Sequence, residues 1–587
     1  MKKILLLLPL VATIAFGCNC SSNQEVTILY TNDVHGAIDY NEAEEKVLSY
    51  ATVAKMKQDL KNQGKNVLLF DGGDHISGGL YCTYQSGIPI IAAMNGAGYD
   101  GAIFGNHEFD YGFDQLNLVT NLARFPYIST NLYHYSPDEK KITDPYSHTR
   151  YTYNLNKVKV GVVGVTTPYA IVTSTPSHFQ DDDGNYIYSF LDGNDGQDLY
   201  QAVQKEVDIL RNDEKCDYVV CLSHLGNEDQ TTTFTAQHLI ENTKGINLLL
   251  DGHTHAIDPG TKIKNKDQQD VLVCQTGSHF ENIAKITIKN RNDIQCELID
   301  HYDGRDEAVN KTEQNIINEI DKLFGKEIAT CNIDFIAKDP GDSWAVRKRE
   351  TNLGDLSSDA YYYCLNELID EGAQCDVTTI NAGGIRSDVS KRTWKLLDCR
   401  NVHTFDNNIS VKVVSGADIK TYLEFATRKV NIDSEKSIEY GAFPQMQGIT
   451  YTINTSVESD ITVDKHENYE GGPYEKFRIF DVKIYNKVNR QYENLELNKS
   501  YKIGGSSYVI EEGGDGCTMF TKKEQELVYR NSSYVDYQVL AAYIESFSYS
   551  SNGDLPIISS DTSPLKQYDK LLINYENHDG SERIKII

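Results

Sequence analysis

From Glu25 onward, short runs of unbroken apolar residues alternate with longer, polar or amphipathic stretches. Val26-Thr27-Ile28-Leu29-Tyr30 leads to Asp33, and Val67-Leu68-Leu69-Phe70 leads to Asp71-Gly72-Gly73-Asp74. Residues 158–165 are rich in Val and Gly, 218–222 end at Ser223-His224, and 246–250 end at Asp251-Gly252-His253. Apolar runs without polar alternation read as strands covered on both faces, so the pattern predicts a layered α/β domain. All but one of these runs end in a polar cluster holding Asp or His. Open α/β sheets place their sites just beyond the carboxyl ends of strands.

The pattern changes after about residue 303. Ile316, Ile320, Leu323 and Ile328 recur at helical spacing in a polar stretch, which predicts a linking helix within 304–330. A second globular region follows over 331–568, with a helix over 353–368 and strands such as 449–453. The expected organisation is a first domain over 24–303, this link, the second domain, and a loosely packed tail over 569–587. A length of 587 residues exceeds one core and fits two large domains.

Residues 1–20 read as a signal peptide: Lys2 and Lys3 precede a short apolar run that ends at Gly17-Cys18. Cys18 after a small residue resembles a bacterial lipobox, which Ala15 and Phe16 fit imperfectly, so lipid anchoring there stays open. No later segment is long and apolar enough to span a bilayer, which restricts membrane contact to that lipid. Export to the periplasm, cell surface or medium is the expected destination. Among 12 cysteines no C-x-x-C pair occurs, which argues against a thiolate zinc site. Cys364 and Cys375 could pair in an oxidising compartment; buried free thiols are the simpler expectation.

The formal net charge is −29, from 85 acidic and 56 basic residues. A nucleic-acid polymer needs a broad basic footprint, so it is excluded as a partner. A small phosphate ester would instead need local positive charge from metal ions or a few arginines.

Five clusters in the first half carry candidate chemistry: Asp33-Val34-His35, Gly73-Asp74, Gly105-Asn106-His107-Glu108-Phe109-Asp110, Ser223-His224 and Gly252-His253-Thr254-His255. Singly each is weak, since a lone Asp-x-His is usually a surface pair and a lone Gly-Asp a turn. Together they supply two metal coordination shells. Two divalent ions about 3.5–4 Å apart need one shared carboxylate and several further ligands. Imidazole, carboxylate and carboxamide without thiolate suit Zn, Mn, Co or Fe. Such a pair makes a bridging hydroxide available near neutral pH for attack on phosphorus.

These clusters resemble the calcineurin-like metallophosphoesterase domain of 5′-nucleotidases, including periplasmic UDP-sugar hydrolases and ecto-5′-nucleotidases. The resemblance implies a four-layer α/β/β/α sandwich, a linking helix and a second α/β substrate-binding domain. It implies that Asp33, His35 and His255 bind one ion and that Asn106, His224 and His253 bind the other. Asp74 would bridge both, and the ions would be Zn, Mn or Co. His255 stands where some members carry Gln. His107 and Asp110 would form the catalytic dyad, the carboxylate fixing the imidazole's tautomer or charge. His75 and His279 have no motif claim and are expected to be structural or exposed.

The second half carries the same family's other signature. Arg347-Lys348-Arg349-Glu350-Thr351-Asn352-Leu353-Gly354-Asp355 opens a helix, and Asn381-Ala382-Gly383-Gly384-Ile385-Arg386 follows a strand. Phe405-Asp406-Asn407 and Gly513-Gly514-Asp515-Gly516 come later. The resemblance implies that Arg347 and Arg386 meet the phosphate or ribose side, with Asn381 beside them. Phe405 would be one ring of a base sandwich, with Tyr508 the second and Val509 at the strictly matching position. Asp515 would bond the ribose hydroxyls.

The implied activity is release of the 5′-phosphate from nucleoside monophosphates, extending to nucleotide sugars. A 2′,3′-cyclic-nucleotide 2′-phosphodiesterase with 3′-nucleotidase activity uses the same metal core. A different class, a catalytically dead nucleoside-binding surface protein, would have lost ligands, and all seven are present. Monomer and homodimer both remain open.

Overall fold

The computed structural model describes residues 25–38, 48–181, 183–227, 234–341, 343–369, 372–433, 436–549 and 553–587. The expected signal segment and Cys18 lie outside them.

The apolar runs of the first half form the centres of two sheets. In one, the order is Asp293–Ile299, Ile283–Asn290, Val26–Thr31, Asn66–Asp71, Gly101–Ala102. In the other it is Ile257–Lys264, Asp270–Thr276, Leu248–Leu250, Tyr218–His224, Val158–Thr166, Arg150–Leu155. Central strands run parallel, while the hairpin strands at the edges run antiparallel. Ile28, Tyr30, Leu68 and Phe70 from the first sheet meet Val160, Val162, Val220 and Leu250 from the second in one core. The outer face of the first sheet packs on helices Tyr50–Asn62, Ile88–Ala97 and Gly112–Leu122. The outer face of the second packs on helix Gln197–Asp208, which buries Leu199, Val203 and Val207 at helical spacing. Helix, sheet, sheet and helix are therefore stacked in that order. Each central strand is covered on both faces, which is why its sequence shows no alternation.

The helix of the linking region is Glu307–Phe324, started by Asp306, whose carboxylate accepts the backbone N–H groups of Ala308 and Val309. Val309, Ile316 and Ile320 sit in the core of the first half, so the helix belongs to that half's outer layer. Leu323 is exposed, and Ile328 lies in the following strand, Glu327–Cys331, rather than on the helix.

In the second half, a five-stranded sheet runs Pro444–Gln447, Val377–Asn381, Ser500–Ser506, Asn408–Ser415, Leu527–Val535. The helix expected over 353–368 is α-helical over Asn352–Tyr363 and continues as a π turn over Cys364–Leu368. The expectation of a loose tail over 569–587 is overturned. Ile584–Ile586 pairs in parallel with Ile449–Ile453, and Tyr575 and Arg583 are fully buried. The Arg583 guanidinium lies 3.3 Å from Asp355 and 2.8 Å from Asp359 inside the second core. Cys364 and Cys375 are both buried free thiols.

Candidate active site

Both sheets deliver polar residues from the carboxyl ends of their central strands to one end of the sandwich. Asp33 and His35 follow Val26–Thr31, Asp74 follows Asn66–Asp71, and Asn106 and His107 follow Gly101–Ala102. His224 ends the strand Tyr218–His224, and His253 and His255 follow Leu248–Leu250. Five of the seven expected ligands have a left-handed backbone: Asp33 (φ 51°), His35 (49°), Asp74 (57°), His253 (79°) and His255 (55°). Backbone strain of this kind persists only where surrounding structure holds it.

Glu108 supplies part of that hold. Its buried carboxylate accepts the backbone N–H groups of Gly105 (2.6 Å), Asp74 (2.7 Å) and His75 (2.9 Å), locking two ligand loops together. Gly105 is required by close approach, because a Cβ there would lie 2.2 Å from Asp74 Oδ1. His75 is structural and buried: Nδ1 is 2.8 Å from Asp71 and Nε2 is 2.8 Å from the Tyr127 hydroxyl.

The seven residues converge. His35 Nε2 lies 3.1 Å from His255 Nε2, which is 3.6 Å from Asp33 Oδ1. His224 Nε2 lies 3.2 Å from Asp74 Oδ2 and 3.7 Å from Asp33 Oδ1, and His253 Nδ1 lies 2.9 Å from Asn106 Oδ1. His35 Nδ1 faces the Ser77 carbonyl at 2.8 Å, and His224 Nδ1 faces the Gly72 carbonyl at 2.6 Å. A carbonyl only accepts, so each Nδ1 carries a proton and each Nε2 is the nitrogen left to ligate a cation in the cluster. His253 Nε2 is buried with no hydrogen-bond partner among the described residues. Leaving such an atom unsatisfied costs about 1–3 kcal/mol, and a cation removes that cost. The donor set therefore fits divalent metal. Two donor groups form, Asp33/His35/His255 and Asp33/Asp74/His224. The carboxylate common to both is Asp33, whereas the sequence resemblance gives the bridging role to Asp74.

Burial pushes the Asp33 carboxyl up to about 7, opposed by the nearby His224, and pushes the His253 imidazole down to about 3. His107 Nδ1 is 2.7 Å from Asp110 Oδ2. The Asp110 carboxylate also accepts the hydroxyls of Ser77 (2.7 Å) and Ser174 (2.9 Å), which fix its position. Burial opposes a charge on His107, but Asp110 and Asp74 outweigh it and hold the imidazole above its ordinary value.

Above this cluster lies a cavity of about 550 Å³, lined from both halves of the chain. His107, Asp110, His253 and His255 face it from one half; Arg347, Asn381, Arg386, Phe405, Tyr508 and Asp515 face it from the other. The Phe405 ring lies 5.8 Å from that of His107 with the planes 20° apart. Asn381 donates to Asp515 Oδ2 at 2.8 Å, and the Asp515 N–H donates to the Tyr508 hydroxyl at 3.0 Å. Gly514 lies flat on the Tyr508 ring, where a Cβ would come within 2.3 Å of it. Val509 is fully buried in the second core, so at that point the chain presents Tyr508 to the cavity. The Tyr508 hydroxyl also donates across to the Val172 carbonyl at 2.9 Å. Asp192 of the first half takes both Lys465 and His466 of the second.

The sequence gives no motif for Trp344, Tyr169 or Tyr440, which line the cavity. His279, expected to be structural or exposed, is exposed but stands at the cavity's mouth, its ring 5.3 Å from that of His35.

Residues 26–256 match the calcineurin-like phosphoesterase family, and residues 328–522 match the 5′-nucleotidase C-terminal domain. The chain belongs to the 5′-nucleotidase family. Among 5′-nucleotidases, that of Diplobatis ommata is 27% identical over 568 residues, 90% of this chain and 89% of that protein. Protein UshA of Yersinia enterocolitica is 24% identical over 568 residues, covering 89% and 91%. The trifunctional nucleotide phosphoesterase YfkN of Bacillus subtilis is 25% identical over 561 residues, 89% of this chain but only 34% of that longer protein. The fold matches that of a 5′-nucleotidase precursor from Thermus thermophilus with a TM-score of 0.73 at 21% identity, covering 96% of this chain and 99% of that one. As a 5′-nucleotidase family member, the chain is a phosphoric monoester hydrolase, and its calcineurin-like domain, with these candidate donor groups, implies divalent-metal binding. No described helix is long and apolar enough to cross a membrane.

Proposed function

We propose that this enzyme removes the 5′-phosphate from nucleoside monophosphates, with two divalent cations held by Asp33, His35, Asp74, Asn106, His224, His253 and His255. One observation carries this reading: the His107–Asp110 pair and the nucleotide-gripping residues face a single cavity from opposite halves of the chain. Bound divalent cations lower the pKa of water and neutralise charge on phosphoryl oxygens. The protein's own groups do the rest. Arg347 and Arg386 grip the phosphate through planar N–H forks. Asn381 and Asp515 hold the ribose hydroxyls, while Phe405 and Tyr508 offer faces to the base. The His107 imidazole, oriented by Asp110, donates a hydrogen bond to the transferring phosphoryl group and protonates the leaving 5′-oxygen.

The preference for Zn, Mn or Co rests on the nitrogen and oxygen donor set. Export to the periplasm, cell surface or medium, with or without a lipid on Cys18, is part of the same proposal. It rests on residues 1–20. Purified protein incubated with AMP and Mn, Co or Zn should release phosphate, and excess chelator should stop it. No release with any of the three ions would refute the proposal. A parallel panel of UDP-glucose and a 2′,3′-cyclic nucleotide ranks the substrates that share this metal core.

A further inference from the structure

Trp344 is one of two tryptophans in the chain and precedes the 3₁₀ turn Ala345–Arg347. Side chains three apart eclipse on such a turn, and the Arg347 guanidinium lies 4.7 Å from the centre of the Trp344 ring. Lys338 Nζ is 4.8 Å from the same centre. The Arg386 guanidinium, carried by the loop after Val377–Asn381, is 6.0 Å from it and 5.6 Å from the Phe405 ring. One indole, only 7% exposed, thus gathers cations from three separate stretches of chain.

Among the described residues the Arg347 and Arg386 guanidiniums make no hydrogen bond or ion pair, and Arg347 Nε is buried. Glu439, whose charge bears on Arg347, accepts the Trp344 backbone N–H at 2.9 Å and the Ser343 hydroxyl at 3.0 Å, both at Oε1. A carboxylate partner would anchor the arginines but would also neutralise them. An aromatic face attracts a guanidinium through its quadrupole and leaves every N–H available. Burial, reinforced by the like charge of Arg347, pushes Arg386 down to about 10. Arg386 lines the same cavity as His107, His253 and His255.

We propose that Trp344 is a positioning residue that aims the Arg347 and Arg386 guanidiniums, still charged and unspent, at an oxyanion of the substrate. The inference rests on the reading of those two arginines as phosphate ligands. It assigns Trp344 an effect on anion affinity rather than on the chemical step.

The test uses metal-loaded protein titrated calorimetrically with inorganic phosphate, alongside steady-state kinetics on AMP. W344L should weaken phosphate binding about tenfold or more and raise KM for AMP by a similar factor, given the strength of buried cation–π contacts. It should leave kcat within about threefold and the metal content unchanged, as expected for lost uniform binding. W344F should recover most of the affinity, because a phenyl face still attracts a guanidinium. Wild-type phosphate affinity in W344L would overturn the proposal. So would a W344F variant as weak as W344L, since that result assigns Trp344 a packing role only. Wild-type protein that binds phosphate but leaves AMP intact would refute the nucleotidase proposal. The calorimetric comparison would still decide the role of Trp344.

Discussion

His107 touches three parts of the site at once: Asp110 through Nδ1, Asp74 through its backbone N–H at 2.8 Å, and Phe405 across its ring. Replacing it by Ala should lower kcat on AMP about 10²–10⁴-fold, the usual range for a lost general acid. Metal content measured by mass spectrometry should not change. Glu108 acts differently, by binding backbone. In E108Q the side-chain NH₂ is forced against N–H donors, and stability should fall by about 1–3 kcal/mol in a denaturant titration. Metal retention should weaken as well, because Asp74 hangs from the same carboxylate. The proposed ligands were legible because each lies within a short motif at a strand end. The left-handed backbone at five of them also fits their chemistry, since Asp, Asn and His tolerate that conformation better than other side chains. The second ring was harder to read, because Tyr508 and Val509 differ by one position and only packing decides which faces the cavity. Trp344 and Tyr169 were invisible to motifs. Their neighbours come from distant loops, and one sequence does not show which loops meet.

Among elements, the buried strands were plain from their unbroken apolar runs. The strand Ile584–Ile586 was not, for it spans three residues and its partner Ile449–Ile453 lies more than a hundred residues earlier. Its anchor is Arg583, which sits at 1% exposure between Asp355 and Asp359. Removing one member of a buried ion network leaves the others uncompensated, so R583M should cost about 3–5 kcal/mol in a urea titration. A cost below about 1 kcal/mol would show that the carboxyls are neutral without it. Ile316 and Ile320 marked the helix Glu307–Phe324, but periodicity alone extended the pattern to Ile328, which pairs as a strand.

At the scale of the molecule, a net charge of −29 coexists with a cavity lined by Arg347 and Arg386, because a screening length of about 8 Å confines the field of exposed charges. The halves meet through Tyr508 and Val172, and through the Asp192 carboxylate with Lys465 and His466. Burial would raise Asp192, but His466 and Lys465 outweigh it and hold the carboxyl below the ordinary range. A carboxyl lowered in the folded state adds stability above its unfolded value of about 3.9 and loses it as pH falls through the folded value. The stability difference between wild type and D192N should therefore be present at about pH 6–7 and shrink below about pH 4. Paired thermal melts across that range check it, and a pH-independent difference would remove Asp192 as a charged link. Which residues cross between the halves was not readable beforehand, since Asp192 and His466 carry no motif.

The shared cavity has a consequence for what happens after hydrolysis. In the proposed reading, the metal-holding residues belong to one half and the grips for phosphate, sugar and base to the other, so an intact nucleotide would tie the halves together. In the proposed reaction, cutting the phosphoester severs that tie: the nucleoside is left on the second half's wall, and the phosphate is left between the metal-holding residues and Arg347 and Arg386. A single parting movement of the two halves would then both separate the products and clear the way for the next molecule.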